Sequence, residues 1–170
     1  MEESGKAKLK PTNNLVKKRD LESCFDASLK PVGFKKKGGT WYQSNEETIV
    51  LIDLQKSNYG DQYYINIAMW IRALGESVFP KEHQCHVRVR FGSAFPQLKL
   101  MSEILFNLEE ASLTDEQRED GIRNLLGAHI LPLARSFEST KSLAEKFRGE
   151  GLKGALVLKS AQDLLSGVDA

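Results

Sequence analysis

The stretch TIVLIDLQKSNYGDQYYINIAMWIR, residues 48–72, decides the fold class of this chain. Residues 48–56 and 62–72 are rich in β-branched and aromatic side chains and contain no glycine or proline, a composition typical of β-strands. The residues between them, SNYGD, are of the types that form tight turns. The pattern predicts two long antiparallel strands joined by a short turn.

Shorter strands flank this hairpin on both sides. Residues 34–37 and 40–44 surround Gly38 and Gly39, a two-residue turn in which glycine tolerates a positive φ. Downstream, apolar and polar residues alternate over residues 85–91. We therefore predict an antiparallel β-meander of four or five strands.

Helical periodicity is found before and after the predicted sheet. Residues 14–29 have the apolar spacing of an amphipathic helix, which Gly33 would end. Downstream of the sheet, a stripe of apolar residues recurs one helical turn apart: Leu98, Met101, Leu105 and Leu108. Thr114 and Gln117 match a capping box at the start of a further helix, which Pro132 should kink or break. We predict an α+β fold, with an N-terminal helix, the meander, and C-terminal helices packed on one sheet face.

The size and composition of the chain fit one domain. It has 170 residues, of which 41% are hydrophobic, enough for a core without metal or disulfide cross-links. Residues 1–12 are polar and lysine-rich and are predicted to be a disordered tail, with residues 13–170 forming a single α+β domain. No apolar run reaches the length of a membrane helix, and the first residues lack the apolar stretch of a signal peptide. We therefore expect a cytoplasmic protein without a membrane partner.

The charge of the chain is balanced overall but unevenly distributed. A formal net charge of +1 argues against bulk binding of nucleic acid. Residues 1–40 carry ten Lys and Arg against five Asp and Glu, whereas residues 101–170 carry eight against twelve. The acidic helical part is therefore one candidate surface for steering a basic partner, through Glu109, Glu110, Glu116 and Glu119.

Alternation along the strands gives the predicted sheet an apolar face and a mixed face. The apolar face should pack against the helices and comprises Val50, Ile52, Leu54, Tyr63, Ile65, Ile67, Met69, Ile71, Cys85, Val87, Val89 and Phe91. On the mixed face, the candidate partner-binding residues are Tyr64, Asn66, Trp70, Arg72, Arg88 and Arg90.

The mixed face has several interpretations. Tyr, Trp and Arg combine a large contact area with directional polar atoms and are typical anchors of protein interfaces. The same composition also fits an ordinary solvated sheet face or a small-ligand site. A nucleic-acid-binding sheet would stack bases on Tyr64 and Trp70 and contact phosphates with the arginines and Lys35–Lys37. We favour a non-catalytic protein-binding domain, with nucleic acid as the alternative partner.

Gln55, Lys56 and Ser57 form a motif at the end of the first long strand. Gln55 and Asn66 fall on the mixed face of neighbouring strands, so their amides are expected to hydrogen-bond to each other and set the register. Ser57 is expected to cap the turn that follows. We predict a structural role for this motif, with ligand binding as the alternative.

The sequence contains no catalytic signature. His83-Gln84-Cys85-His86 is its one cluster of soft metal ligands, but alternation places His86 opposite His83 and Cys85, so the three would not converge on one ion. Cys85 is expected to be buried and inert, and His129 to pack at the core edge. We predict no enzymatic activity, no cofactor and no metal. A small enzyme whose site is assembled from dispersed residues remains the alternative.

Several central segments together resemble one bacterial family, the domain of unknown function 4304. They are GFKKKG at residues 33–38, WY at residues 41–42, LQKS at residues 54–57, YINI at residues 64–67 and CHVRVR at residues 85–90. The resemblance covers about residues 14–95 and implies no established activity. Members resemble small single-domain proteins found beside polymorphic bacterial toxins. This likeness implies an immunity protein that binds and neutralises a toxin.

Overall fold

The described part of the chain begins with a helix that packs against the sheet through Phe25 and Trp41. The computed structural model describes residues 18–149 and 152–169; the predicted tail over residues 1–12 and the first residues of the predicted helix lie outside the described residues. Helix α1 spans Lys18–Leu29 and is followed by a 3-10 turn, Lys30–Val32. The segment ends, as predicted, at Gly33, whose φ of 100° is a left-handed conformation that costs glycine little.

The sheet is an antiparallel meander in which strand order follows chain order. Within the described residues it has six strands: β1 Lys35–Lys37, β2 Thr40–Ser44, β3 Thr48–Lys56, β4 Tyr63–Ile71, β5 Val87–Arg90 and β6 Leu156–Val157. The predicted α+β class is confirmed. The sixth strand is a short edge strand that returns after the helices and pairs with β5.

The register of the central strands confirms the predicted faces. Val50 lies opposite Met69, and Ile67 lies between Ile52 on β3 and Val89 on β5. These side chains are buried in one core cluster with residues of the helices. Burial of each such side chain contributes about 1.5–3 kcal/mol, which holds the helices on this face.

The helices that follow β5 cover the apolar face. They are α2 Phe91–Ala94, α3 Lys99–Leu105, α4 Asp115–Leu125, α5 Leu131–Arg135, α6 Thr140–Arg148 and α7 Lys159–Ser166. The capping box is confirmed at the start of α4. The hydroxyl of Thr114 accepts from the backbone N–H of Gln117 at 3.1 Å, and the Gln117 side chain accepts from the Thr114 N–H at 2.9 Å.

The sequence predicts that Pro132 kinks or breaks its helix, and the regular α-helix is indeed interrupted there by a wider turn. The segment Leu126–Ile130, between α4 and α5, is π-helical, and the Leu131 N–H donates to the carbonyl of Leu126. A proline lacks an N–H and crowds the carbonyl four residues before it. The wider π turn changes the backbone hydrogen bonding just ahead of Pro132. Helical backbone therefore continues to Arg135.

The predicted apolar stripe after the sheet is wrong in part. Leu98 belongs to a 3-10 turn before α3, and Leu108 lies beyond the helix end at Leu105. Met101 and Leu100 are 39% and 70% exposed. The chain turns at the C-terminal end of α3, where the Arg118 side chain donates to the carbonyl groups of Ile104 and Leu105.

None of the helices in the described residues combines the length and the apolarity needed to cross a bilayer.

Candidate functional site

The mixed face is divided into a covered half and an open half. Residues 72–84, which connect β4 to β5 and are called the strap below, fold across the covered half. The Tyr42 hydroxyl donates to the Pro80 carbonyl at 3.2 Å, and its ring lies 5.3 Å from that of Phe79. A second buried cluster lies here, separate from the main core, and consists of Tyr42, Ile49, Leu51, Ala68 and Cys85.

Cys85 is buried, as predicted, but its assignment to the main core is wrong. It precedes β5 and follows a 3-10 turn, Glu82–Gln84, so strand alternation does not govern its direction. It lies in the second cluster instead. Burial raises the pKa of the Cys85 thiol to about 12, which keeps it protonated and poorly nucleophilic at neutral pH.

Trp70 and Arg72 lie in the covered half rather than in one open patch with the other candidate residues. The Trp70 indole N–H donates to the carbonyl of Gly75 in the strap at 3.0 Å. Arg72 begins a 3-10 turn after β4, and its Nε donates to the Asn45 carbonyl at 2.7 Å. Both side chains are half-buried and are already engaged by the strap and the neighbouring loop, and their contact with a partner stays a prediction.

His86 is a second anchor of the covered half that sequence reasoning does not single out. Only 6% of it is exposed, and its ring centroid lies 4.3 Å from that of Trp70. Its Nδ1 accepts a hydrogen bond from the Ile71 backbone N–H at 2.9 Å. That bond requires the neutral ring with its proton on Nε2, and burial lowers the pKa of His86 below the ordinary 6.5.

Acidification should therefore destabilise the fold through His86. The unfolded chain binds a proton at the ordinary pKa of 6.5, whereas the folded chain resists protonation. The free energy of unfolding should fall below about pH 6.5, by at most about 1.4 kcal/mol per pH unit, until the pKa of the folded state is reached. Urea titrations at pH 7.5, 6.5 and 5.5 measure this slope. His86→Asn should remove most of this pH dependence of the unfolding free energy, whereas the matched variant His83→Asn, at an exposed histidine, should retain it. Equal slopes in the two variants would contradict the assignment of the pH dependence to His86.

Four side chains from three adjacent strands meet on the open half and form what we call the Arg90 cluster: Gln55, Tyr64, Asn66 and Arg90. Gln55 and Arg90 are exposed and Tyr64 is half-buried, whereas Asn66, predicted to bind a partner, is buried beneath them. The guanidinium carbon of Arg90 lies over the Tyr64 ring, 4.5 Å from its centroid. The predicted amide pair is confirmed, since Asn66 Nδ2 donates to Gln55 Oε1 at 2.8 Å. Arg90 Nη2 also donates to Gln55 Oε1, at 3.1 Å, and its Nε approaches Asn66 Oδ1 at 3.4 Å.

The turn after Gln55 holds this end of the sheet as predicted. Ser57 Oγ accepts from the Tyr59 N–H at 3.1 Å, and Lys56 forms an ion pair with Asp61 at 2.9 Å. The structural role predicted for this motif is consistent with these contacts. Gln55 additionally binds Arg90, so the motif also supports the Arg90 cluster.

Two grooves adjoin the Arg90 cluster and share Arg90 and Ser93 as lining residues. The first has a volume of about 420 Å³ and extends over Arg88 towards Glu82 and Leu156. The second has a volume of about 330 Å³ and extends over Tyr64 towards the side chains of α3. Ser93, Lys99 and Leu156 come from segments that follow the meander, and nothing in the sequence indicates that they reach this face.

The charges around these grooves are partly paired. Arg88 Nη1 lies 3.6 Å from Glu82 Oε2, and Lys99 Nζ lies 4.0 Å from Glu103 Oε1. Arg90, by contrast, has no carboxylate within ion-pair distance in the described part of the chain. The open half therefore presents one guanidinium that is held in place by stacking and amide contacts and lacks a counter-charge.

The other candidate chemistry is accounted for by structural contacts. Lys36 pairs with Glu22 at 2.8 Å and Lys37 lies over the Phe79 ring at 4.1 Å, whereas Lys35 is exposed. His129 packs edge-on against Phe95 at 5.3 Å, as expected. In the described residues, no group of three or more His, Cys, Asp and Glu is placed to hold a metal ion.

The acidic helical surface is less concentrated than the sequence suggests. Glu116 and Glu119 are exposed on α4, whereas Glu109 and Glu110 lie in the turn before it. Glu110 is partly buried, and hydrogen bonds from Ser112 lower the pKa of its carboxyl. Of the four glutamates, Glu109, Glu116 and Glu119 are exposed, but Glu109 lies in the turn and not on the helix, so they do not form one row.

Comparison with known families identifies the type of domain. A family model with the description Domain of unknown function (DUF4304) matches residues 25–136. The chain belongs to this family. No curated protein and no solved structure is significantly similar to it.

The DUF4304 match covers the structural units that build the site. It runs from within α1 to just after α5 and includes the strap and all four residues of the Arg90 cluster. Helices α6 and α7 and strand β6 lie outside it. Leu156, at the far wall of the first groove, is therefore supplied by the part of the chain beyond the family match.

Proposed function

We propose that this DUF4304 chain is a non-catalytic protein-binding domain whose recognition surface is centred on the Arg90 cluster. The observation that carries the proposal is the Arg90 guanidinium stacked on Tyr64 at 4.5 Å on an open sheet face. Arg and Tyr are enriched among the few residues that dominate protein interfaces. Because the amides of Gln55 and Asn66 already hold Arg90, ordering it on binding would cost little side-chain entropy.

Nucleic-acid binding is the less favoured alternative. A single-stranded nucleic acid needs exposed aromatic faces on which bases can stack. The Tyr64 ring is covered on one side by Arg90, and Trp70 is packed on His86 in the covered half. Stacking on Trp70, or on the covered side of Tyr64, would first have to displace an existing contact.

Within this proposal, the partner is a bacterial toxin and the chain acts in the cytoplasm as its immunity protein. The support for this narrower role is the likeness of the family to proteins found beside polymorphic toxins. Co-expression of the chain with each candidate toxin domain, taken from any toxin gene found beside its own, tests the role directly. Restored growth with one such toxin, and loss of the effect in the variant described below, is the expected result.

The double variant Tyr64→Ala with Arg90→Ala should lose partner binding. Truncation of an interface anchor commonly costs more than about 2 kcal/mol, so the pair should weaken the complex at least about 100-fold. Neither side chain belongs to a buried cluster, so circular dichroism and melting should remain close to those of the unmodified chain. Affinity capture from cells of the source organism, followed by calorimetric titration of the captured protein, measures the loss.

Two control variants separate this surface from the helical one. Arg135→Ala removes an exposed arginine from α5 on the helical side and should not change binding. Glu116→Lys with Glu119→Lys reverses the charge of the exposed α4 surface and should also bind normally. Normal binding by the double alanine variant, with loss of binding after charge reversal on α4, would instead locate the partner on the helices.

A further inference from the structure

We infer that the grooves beside Arg90 bind a carboxylate side chain of an acidic protein segment, with the Arg90 guanidinium as its pairing group. This inference rests on the proposed function, because it states the chemistry of the partner at the same surface. Three properties of Arg90 carry it: its charge, its hydrogen-bonding capacity and its position.

The Arg90 guanidinium has donors to spare. A guanidinium carries five N–H donors, and in the described part of the chain Arg90 uses one on Nη2, towards Gln55, and Nε towards Asn66. Both Nη1 donors and the second Nη2 donor therefore have no protein acceptor. Two donors on neighbouring nitrogens match the two oxygens of a carboxylate, which is the bidentate geometry that arginine prefers.

The surroundings of Arg90 favour an anion at this point. The nearby cations Arg88 and Lys99 each face a carboxylate of the chain, Glu82 and Glu103, whereas Arg90 faces none among residues 18–149 and 152–169. An incoming carboxylate would therefore supply a missing counter-charge without displacing an existing one. Stacking on Tyr64 fixes the plane of the guanidinium, so an acidic side chain can approach through either groove.

The same surroundings favour a carboxylate of a protein over the phosphates of a nucleic acid. Glu82 and Glu103 line the two grooves and would repel a continuous phosphate backbone. A single acidic side chain can avoid both, because each of these carboxylates lies beside its own cation. Because Arg90 covers one side of the Tyr64 ring, less ring surface is open to the base stacking that would compensate for this repulsion.

The test uses a short acidic peptide with the complete chain. The probe is an acetylated and amidated peptide of four glutamates, with the corresponding four-glutamine peptide as the neutral comparison. Titration followed by ¹⁵N–¹H NMR should move the backbone signals of Arg90 and Ser93 with the glutamate peptide only. Arg90→Gln should raise the dissociation constant about tenfold, whereas Arg135→Gln, which removes the same charge from α5, should leave it within about twofold.

A further variant separates charge from geometry. Arg90→Lys keeps the positive charge but replaces the planar fork by one ammonium group, so it should recover only a small part of the lost affinity. Unchanged peptide binding by Arg90→Gln, or signals that move at Lys35–Lys37 instead, would overturn the inference. Tighter binding of an eight-residue oligothymidylate than of the peptide at physiological salt, lost in Arg90→Gln, would also overturn it in favour of nucleic acid.

The inference and the proposed function fail in distinguishable ways. If the Tyr64→Ala and Arg90→Ala variant loses the captured partner but the acidic peptide does not bind at Arg90, the proposed function holds and the inference of a carboxylate ligand is wrong. If the acidic peptide binds at Arg90 but the captured partner binds the double variant as tightly as the unmodified chain, Arg90 forms an anion site that has no role in partner recognition.

Discussion

Ile67→Asp should unfold most of the protein at room temperature. Ile67 is fully buried on β4, with Ile52 and Val89 on the neighbouring strands opposite it. An aspartate at this position would either leave an unpaired charge in a dry core or require a protonated carboxyl without a partner. We expect a loss of at least about 4–5 kcal/mol, which is close to the whole stability of many domains.

A conservative variant shows whether the loss comes from charge. Ile67→Val removes one methylene group and should cost only about 0.5–1.5 kcal/mol. Urea unfolding monitored by tryptophan fluorescence suits both variants. Trp41 is buried in the same core, so its fluorescence reports the exposure of that core to solvent. A melting temperature of Ile67→Asp equal to that of the unmodified chain would contradict the placement of β4 in the centre of the sheet.

The second large effect is expected at Arg118, which follows the capping box of α4. Only 3% of this residue is exposed, and its guanidinium binds four backbone carbonyl groups. Nη1 donates to Ile104, Leu105 and Asn107, and Nη2 donates to Glu110. These carbonyls belong to the end of α3 and to the turn after it, where a helix leaves acceptors unpaired and favours a positive charge.

Arg118→Met keeps most of the length of the side chain but removes every donor. The four carbonyls would stay in a buried turn without their partner, and we expect a loss of about 3–4 kcal/mol. Arg123→Met is the matched control on the same helix. Arg123 is exposed and pairs with Asp120 at 3.2 Å, so its loss should cost less than about 1 kcal/mol. Equal unfolding free energies for the two methionine variants, measured in urea, would show that the carbonyl contacts of Arg118 contribute nothing.

The division of the mixed face determines which substitutions can test function. Trp70 contacts His86 and donates to Gly75, so its truncation would disturb the strap and the second cluster as well as any partner contact. Tyr64 and Arg90 lie outside that cluster. Variants at these two positions can therefore lose binding without losing the fold.

Local pattern was sufficient for the strands and for the caps. The run from Thr48 to Ile71 contains the alternation that assigns Ile52 and Ile67 to one face and Gln55 and Asn66 to the other, and the structure confirms each assignment. The capping box at Thr114 and the helix end at Gly33 are confirmed for the same reason. Each depends on residues within a few positions of one another, so the sequence contains the whole interaction.

Only the tertiary structure decided which segments cover each face of the sheet and which groups pair with each charged side chain. Alternation indicates that Trp70 and Arg90 share a face, but the strap folds over Trp70 and leaves Arg90 open. Arg118 in an acidic stretch has the pattern of a solvated residue, yet carbonyls 8 to 14 positions before it bind its guanidinium. Likewise, β6 brings Leu156 to the first groove only after the helices have crossed the sheet. Periodicity gives the direction of a side chain from its own strand or helix, whereas burial and pairing depend on segments whose position in space results from packing of the whole core.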